Sequence, residues 1–344
     1  MGAETMSWTV ADADALYGVS RWGKGVFAVN ARGEIEVAAG GMRASLFEIV
    51  QTLIREHDIW PPVLLRFPEV IAERMDKLFS AFAEAREEAG YQGRYFGVYP
   101  IKVNQQAQVV ESIAQLGRRY GWGLEVGSKP ELHAAIAMLE HVSGPIVCNG
   151  YKDAEFVYLA LLARKLGRDV YIVIEKLSEL ETVLEMARKT GVRPLLGVRC
   201  RLSVMPDGFW RESGGDASKF GLSAAEALRC VEMLKREGML DSLKLLHFHM
   251  GSQIPRIQHL KAALREIARY YVELRRLGAP IAAIDVGGGL GVDYEGTFSG
   301  DPSSVDYTIG EYASNVIWEI KAIADEAGLP HPDILSESGR ALVA

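Results

Sequence analysis

Four stretches of this chain bring reactive residue types to the ends of apolar runs. In YFGVYPIKVN (95–104) Lys102 follows an aromatic run and Pro100. Lysine is seldom buried unless something pairs or reacts with it. In LLHFHMGSQ (245–253) His247 and His249 stand two apart, which on a strand puts both on one face. In IDVGGGLGVDY (284–294) Gly287, Gly288 and Gly289 leave backbone N–H groups uncovered, and in SESGR (336–340) Glu337 precedes Arg340.

Each stretch has an ordinary reading. Lys102 alone fits a solvated strand end, the glycines a bare turn, and the histidines a hydrogen-bonded core. An H-x-H pair also fits a metal, but that needs ligands from other strand ends. His57, His133, His141, His259 and His331 do not fall there. Buried Glu337 needs a partner, and Arg199 would serve. A nicotinamide fingerprint belongs in the first strand–helix unit, which these glycines do not occupy. Taken together the four stretches point elsewhere. A buried lysine, a flat-ring histidine, a phosphate cradle and a carboxylate are what pyridoxal 5′-phosphate requires: a Schiff-base amine, a ring partner, a phosphate site and a group on the pyridine nitrogen.

The elements that must position these residues show a rhythm from Gly93 onward. Apolar strands fall near 95–101, 122–126, 145–149, 170–174, 194–200, 243–249, 281–286 and 333–337. Amphipathic helices fall near 105–117, 129–140, 153–166, 178–190, 223–237, 256–277 and 311–327. Apolar strands alternating with helices mean a parallel sheet covered by helices. Eight such units fit an α/β fold of (β/α)8 barrel type, with chemistry at the strand C-termini; an open doubly wound sheet is the alternative. Upstream, residues 1–45 read as β-rich, with two strands around the Asn-Ala-Arg-Gly turn. A helix follows at 43–58, PPVLLRF (61–67) reads as a short strand that could join the barrel, and a helix from Pro68 ends at Gly90. The division is a β-rich segment with a helix over 1–60 and the barrel over 61–344.

The bulk numbers agree. The chain has 344 residues, 49% hydrophobic and 24% charged, with 35 glycines, a globular balance rich in turns. A net charge of −7 argues against a nucleic-acid binder and suits a cationic substrate. Cys148, Cys200 and Cys230 have neither disulfide-framework nor zinc spacing. With no signal-like N-terminus and no membrane-length apolar run, the expected place is the cytoplasm, without membrane partners.

Long motifs carry a resemblance. YFGVYPIKVNQQ, GLEVGSKPEL, CNGYKD, VYIVIEKLSEL, SGGDASKFGL, LLHFHMGSQI, DVGGGLGVDYEGT and ESGRA are similar to the barrel-type pyridoxal-phosphate decarboxylases, and within them to the biosynthetic arginine decarboxylases. The likeness runs from about residue 15 to the end. It implies Lys102 as the Schiff-base lysine, His249 stacked on the ring, and Glu337 on the pyridine nitrogen. It implies Ser252, Gly287, Gly288, Gly289, Gly339 and Arg340 around the phosphate, and Glu125 and Arg199 as further cofactor contacts. Substrate would border Asp285, Gly291, Asp293 and Tyr294. The implied reaction converts L-arginine to agmatine and CO2 in polyamine biosynthesis, in a homodimer or homotetramer, with a C-terminal β domain beyond this chain. Magnesium is implied by resemblance alone, and its ligands remain unassigned. The alternatives are a sister decarboxylase acting on ornithine, lysine, diaminopimelate or carboxynorspermidine, an inactive cofactor-binding relative, and a metal-dependent barrel hydrolase.

Overall fold

The computed structural model describes residues 8–204 and 220–343. Part of the SGGDASKFGL motif (213–219) therefore lies outside the described residues.

The chain opens with helices where strands were expected. Helix α1 (Val10–Tyr17) starts at Thr9, whose side chain accepts the Asp12 N–H while the Asp12 carboxylate accepts the Thr9 N–H. This reciprocal cap satisfies two free donors of the first turn. Gly18, at φ 62°, ends α1, and α2 (Val19–Gly23) follows directly. Strands β1 (Phe27–Val29), β2 (Ile35–Ala39) and β3 (Met42–Ser45) then form an antiparallel three-stranded sheet. The expected turn is present: the Asn30 side chain accepts the N–H groups of Arg32 and Glu34. The third strand was not expected.

Helix α3 (Leu46–His57) is capped by Ser45. The stretch 61–67 forms no strand, which corrects the expectation of one there. Leu64 is 73% exposed, and the barrel leaves no free edge for another strand. Helix α4 (Pro68–Ala89) has proline in its first turn and ends at Gly90 in the left-handed conformation, as its sequence predicts.

The expected barrel is present and closed. Its strands are β4 (Tyr95–Pro100), β5 (Gly123–Val126), β6 (Ile146–Cys148), β7 (Val170–Ile174), β8 (Leu195–Arg199), β9 (Leu243–His247), β10 (Ala283–Asp285) and β11 (Asp333–Glu337). All eight are parallel, and β11 returns to pair with β4, bringing Glu337 opposite Val98. Between them run α5 (Ala107–Gly117), α6 (Lys129–Ala137), α7 (Ala154–Lys165), α8 (Leu177–Thr190), α9 (Ala224–Arg236), α10 (Ile257–Arg276) and α11 (Ile309–Glu326), and α12 (Arg340–Val343) follows β11. Each longer helix turns an apolar stripe to the strands. In α10 the buried set includes Leu260, Ala263, Leu264, Ile267 and Tyr271, the spacing of one helical face.

The lumen is layered because side chains alternate along a strand. One layer is dry: Val98, Val147, Val173, Leu245, Ala283 and Leu335 pack together, all buried. Two residues further along the same strands stand Pro100, Asn149, Glu175, His247, Asp285 and Glu337, with Glu125 beside them on β5. The dry layer anchors the strand ends, and a fully buried Leu or Val contributes about 1.5–3 kcal/mol. The polar layer above it faces the C-terminal mouth.

Candidate active site

Lys102 lies in a short 3-10 turn, Ile101–Val103, directly after β4. Its ammonium donates to both carboxylate oxygens of Glu125, at 3.1 and 2.9 Å. Glu125 is fully buried, whereas the Lys102 side chain is 57% exposed. This corrects the expectation of a buried lysine: Lys102 stands at the mouth with its charge turned inward. Desolvation is the strongest influence on its pKa and lowers it. Glu125 and then Glu337 outweigh that effect, so the pKa stays above the ordinary lysine value.

The pairing continues inward. Asn149, at the end of β6, donates from Nδ2 to Glu125 Oε1 at 3.1 Å and to Glu337 Oε1 at 2.6 Å. One amide thus ties the carboxylate beside Lys102 to the carboxylate at the end of β11. Asn149 was not singled out from sequence. The signal was available, because it lies two residues past the lumen-facing Val147 on a strand that ends there.

Glu337 is buried, and its pKa is pushed up to about 8, first by burial and then by the neighbouring Asp285. Asp285 is fully buried and is pushed up to about 7 by burial, although the Gly287 N–H donates to its Oδ1 at 2.8 Å. Asp285 therefore sits beside Glu337 in the polar layer and lines neither of the two cavities described below. Arg199 does not pair with Glu337 as the sequence suggested. It bonds Glu175 at 3.1 Å and lies over the Phe220 ring. Among the described residues the buried lysine is Lys152, whose side chain is 0% exposed beside Glu179.

The two histidines part company. His249 Nδ1 accepts the Gly288 N–H at 3.2 Å, which leaves Nε2 to carry the ring proton. Its pKa lies well below the ordinary value, through burial first and then its neighbours Arg199, His247 and Lys102. His247 turns to the carboxylates instead, with Nδ1 at 3.4 Å from Asp285 Oδ2 and 3.7 Å from Glu337 Oε1. The pair therefore does not converge on one ion. His247, Asp285 and Glu337 do bring one donor atom each within 4.8 Å of one another. Magnesium prefers an octahedral, water-rich oxygen shell; an imidazole and two carboxyls over a dry layer do not fit it.

The glycine loop closes the opposite wall. Gly287 has φ 68°, and a Cβ there would stand 2.2 Å from the Phe248 carbonyl oxygen. Gly289 has φ 99°, and its Cβ would stand 2.4 Å from the Gly251 oxygen. No side chain fits at either position without moving backbone. Together these walls enclose a cavity of about 360 Å³ lined by Lys102, His249, Ser252, Gly288, Gly289, Glu337, Gly339 and Arg340, among others. Lys102 comes from the first strand end, His249 and Ser252 from the sixth, the glycines from the seventh, and Glu337 and Arg340 from the eighth.

Gly291, Asp293 and Tyr294 line a neighbouring cavity of about 520 Å³, closed by Trp22, Lys24 and Phe27 of the N-terminal segment. Leu290 borders both cavities. Asp293 is already engaged, by Lys24 at 3.7 Å and Ser304 at 2.7 Å.

The fold and this arrangement define a class: parallel barrels that gather their reactive groups at the C-terminal strand ends. The chain belongs to the pyridoxal-dependent decarboxylase family, whose pyridoxal binding domain matches residues 75–344. It is 48% identical over 338 residues to a biosynthetic arginine decarboxylase of Marinobacter nauticus, covering 96% of this chain and 53% of that protein. The corresponding protein of Pseudomonas aeruginosa is 49% identical over 341 residues, covering 98% and 53%. The chain thus spans about half the length of these relatives. Among solved structures, the biosynthetic arginine decarboxylase of Campylobacter jejuni superposes with a TM-score of 0.85 at 36% identity, over 95% of this chain and 53% of that one. A diaminopimelate decarboxylase from M. jannaschii shares the fold, with a TM-score of 0.72 at 22% identity, over 93% and 67%.

Proposed function

We propose that this chain carries the cofactor site of a pyridoxal-phosphate-dependent arginine decarboxylase, which releases CO2 from L-arginine and yields agmatine for polyamine biosynthesis. The observation that carries the reading is the hydrogen-bonded line Lys102–Glu125–Asn149–Glu337, whose two ends border a cavity that the glycine loop also lines. Its ends present an amine and a carboxylate, as a flat cofactor with an aldehyde and a ring nitrogen requires. The relatives' names supply the substrate.

Pyridoxal phosphate, when bound, supplies the electron sink for the bond that breaks at the substrate α-carbon. The residues have separate tasks around it. Lys102 would hold the aldehyde carbon covalently, and Glu125, 2.9 Å from the amine, would orient it at the cavity mouth. Glu337 would hold a proton on the ring nitrogen. The N–H groups of the glycine loop, Ser252 and Arg340 would bind phosphate, because bare N–H groups and a guanidinium suit its oxygens. His249, neutral and fixed by Gly288, would cover the ring without competing for its charge. Asp285 and Arg199 would act from behind, Asp285 on Glu337 and Arg199 through Glu175. Gly291, Asp293 and Tyr294 would border the substrate side, where the second cavity meets the first at Leu290. Among the described residues no helix is long and apolar enough to cross a membrane; a cytoplasmic homodimer or homotetramer completes the proposal.

The test is CO2 release from a panel of L-arginine, ornithine, lysine, diaminopimelate and carboxynorspermidine in the presence of the cofactor. Arginine should lead the panel. Release led by another amino acid would replace arginine with a sister substrate.

A further inference from the structure

Three buried polar atoms of the lumen layer have no hydrogen-bond partner, Asn149 Oδ1, His247 Nδ1 and Asp285 Oδ2, and the last two belong together. They face each other at 3.4 Å, and Glu337 Oε1 lies 3.7 Å from the same nitrogen. A buried polar atom left unpaired costs free energy, so this cluster implies a proton at its centre. An Nδ1–H on His247 provides it, pointing between two carboxyl groups. The dry layer of Leu245, Ala283 and Leu335 lies directly below on the same three strands, so water cannot neutralise the pair from that side. Two carboxyls this close in a dry site do not both ionise. One proton beyond that of neutral His247 must therefore reside on Asp285 or Glu337.

We propose that His247 and Asp285 are positioning residues that act through Glu337: the His247 Nδ1–H bridges the two carboxyls, and Asp285 takes their shared proton when a cationic ring nitrogen faces Glu337. The proton moves from a Glu337 oxygen to Asp285 Oδ2, and Glu337 is left as the carboxylate that pairs with the ring. Neither His247 nor Asp285 lines the cavity of about 360 Å³, whereas Glu337 does, so both would act on a bound ring through Glu337. The proposal deepens the pyridoxal reading of this site and rests on it for the ring, though not for the proton unit itself.

The other charged groups around the unit are accounted for. Glu337 also feels Glu125 from β5 and Lys102 from the turn after β4, and Asn149 from β6 bonds it. His247 also feels Arg199 from β8 and Glu175 from β7. Asp285 holds Glu337 up in pKa while His247 pulls it down. The two neighbours therefore oppose each other, and that opposition separates this role from mere packing.

The experiment is an infrared pH titration of the buried carboxyl stretch in the cofactor-free protein, with the Glu337 band identified by its loss in Glu337→Gln. His247→Leu should raise the Glu337 midpoint, and Asp285→Asn should lower it, each by about one pH unit or more. His247→Asn, which keeps an amide donor, should recover part of the first shift; if His247→Leu does not fold, this variant and Asp285→Asn carry the test. Midpoints that stay fixed, or that move together in one direction, would overturn the proposal. Adding pyridoxal phosphate and borohydride to the same samples separates the two readings. Opposed shifts without label on Lys102 keep the proton unit and remove the cofactor reading. Label on Lys102 with unmoved midpoints does the reverse.

Discussion

Two layers of the same lumen, one residue pair apart, have opposite characters. Val98, Val147, Val173, Leu245, Ala283 and Leu335 form a layer without a polar side chain. Their successors two positions on include Asn149, Glu175, His247, Asp285 and Glu337, all buried. Both layers hang from the same strands and the same pleat. The lower layer gains stability from dispersion and exclusion of water. The upper one sets buried carboxyls against each other and raises Asp285 and Glu337 out of their ordinary range. The lower layer does more than stabilise, since without a dry floor the upper layer could not hold unusual protonation states. The contrast shows how a barrel separates the work of folding from the work of chemistry by two residues per strand.

The largest test of this division is Lys102→Ala, which should lower turnover on the order of a thousandfold or more while the chain stays folded, with a melting temperature reduced only by the loss of the Glu125 partner. Steady-state kinetics beside a thermal melt would check it. Leu245→Ala should show the converse: a loss of about 2–5 kcal/mol in denaturant unfolding, with cofactor still attached to Lys102 in the folded fraction. If Leu245→Ala instead abolished cofactor attachment while the fold survived, the layers would not be separable.

Glu337→Gln keeps the shape and removes the charge. Turnover should fall about a hundredfold, and melting at pH 8 should hold or improve, because a buried carboxyl with raised pKa is replaced by a neutral amide. The smallest effect is on pH dependence. The folded, cofactor-free chain binds the Asp285 and Glu337 protons more tightly than the unfolded chain does. Their contribution to stability is complete below the ordinary carboxyl values of 3.8 and 4.5 and is lost as pH rises through about 7 to 8. Urea midpoints should fall across that window, and Asp285→Asn should flatten the fall.

Much of this was legible in the sequence because local patterns carry it. The barrel strands were marked by apolar runs of the right length, and the helices by their stripes and caps. The N-terminal helices were missed although Thr9, Asp12 and Gly18 hold both signals of α1, since eight residues with little amphipathic contrast make a weak pattern. PPVLLRF looked like a strand because composition shows apolar residues and not whether an edge is available to pair with them. The site was legible as far as strand ends go: Lys102, His249, Gly288, Gly289 and Glu337 border one cavity, and Gly287 lies just outside its lining. What sequence could not show was pairing across the barrel. Glu125 meets Lys102 and Arg199 chooses Glu175 between neighbouring strands, whereas Asn149 after β6 reaches Glu337 of β11 across the closed lumen. Exposure was hidden for the same reason, so Lys102 was expected buried and Lys152 went unnoticed.

On the proposed reading, Lys102 is the amine that holds the cofactor at the top of the polar layer. The most direct measurement is a visible spectrum of the protein with pyridoxal phosphate, followed by borohydride reduction and peptide mapping. A yellow band should form and collapse on reduction, with the label on the peptide containing Lys102. A label on Lys152, or spread over surface lysines with no visible band, would contradict it.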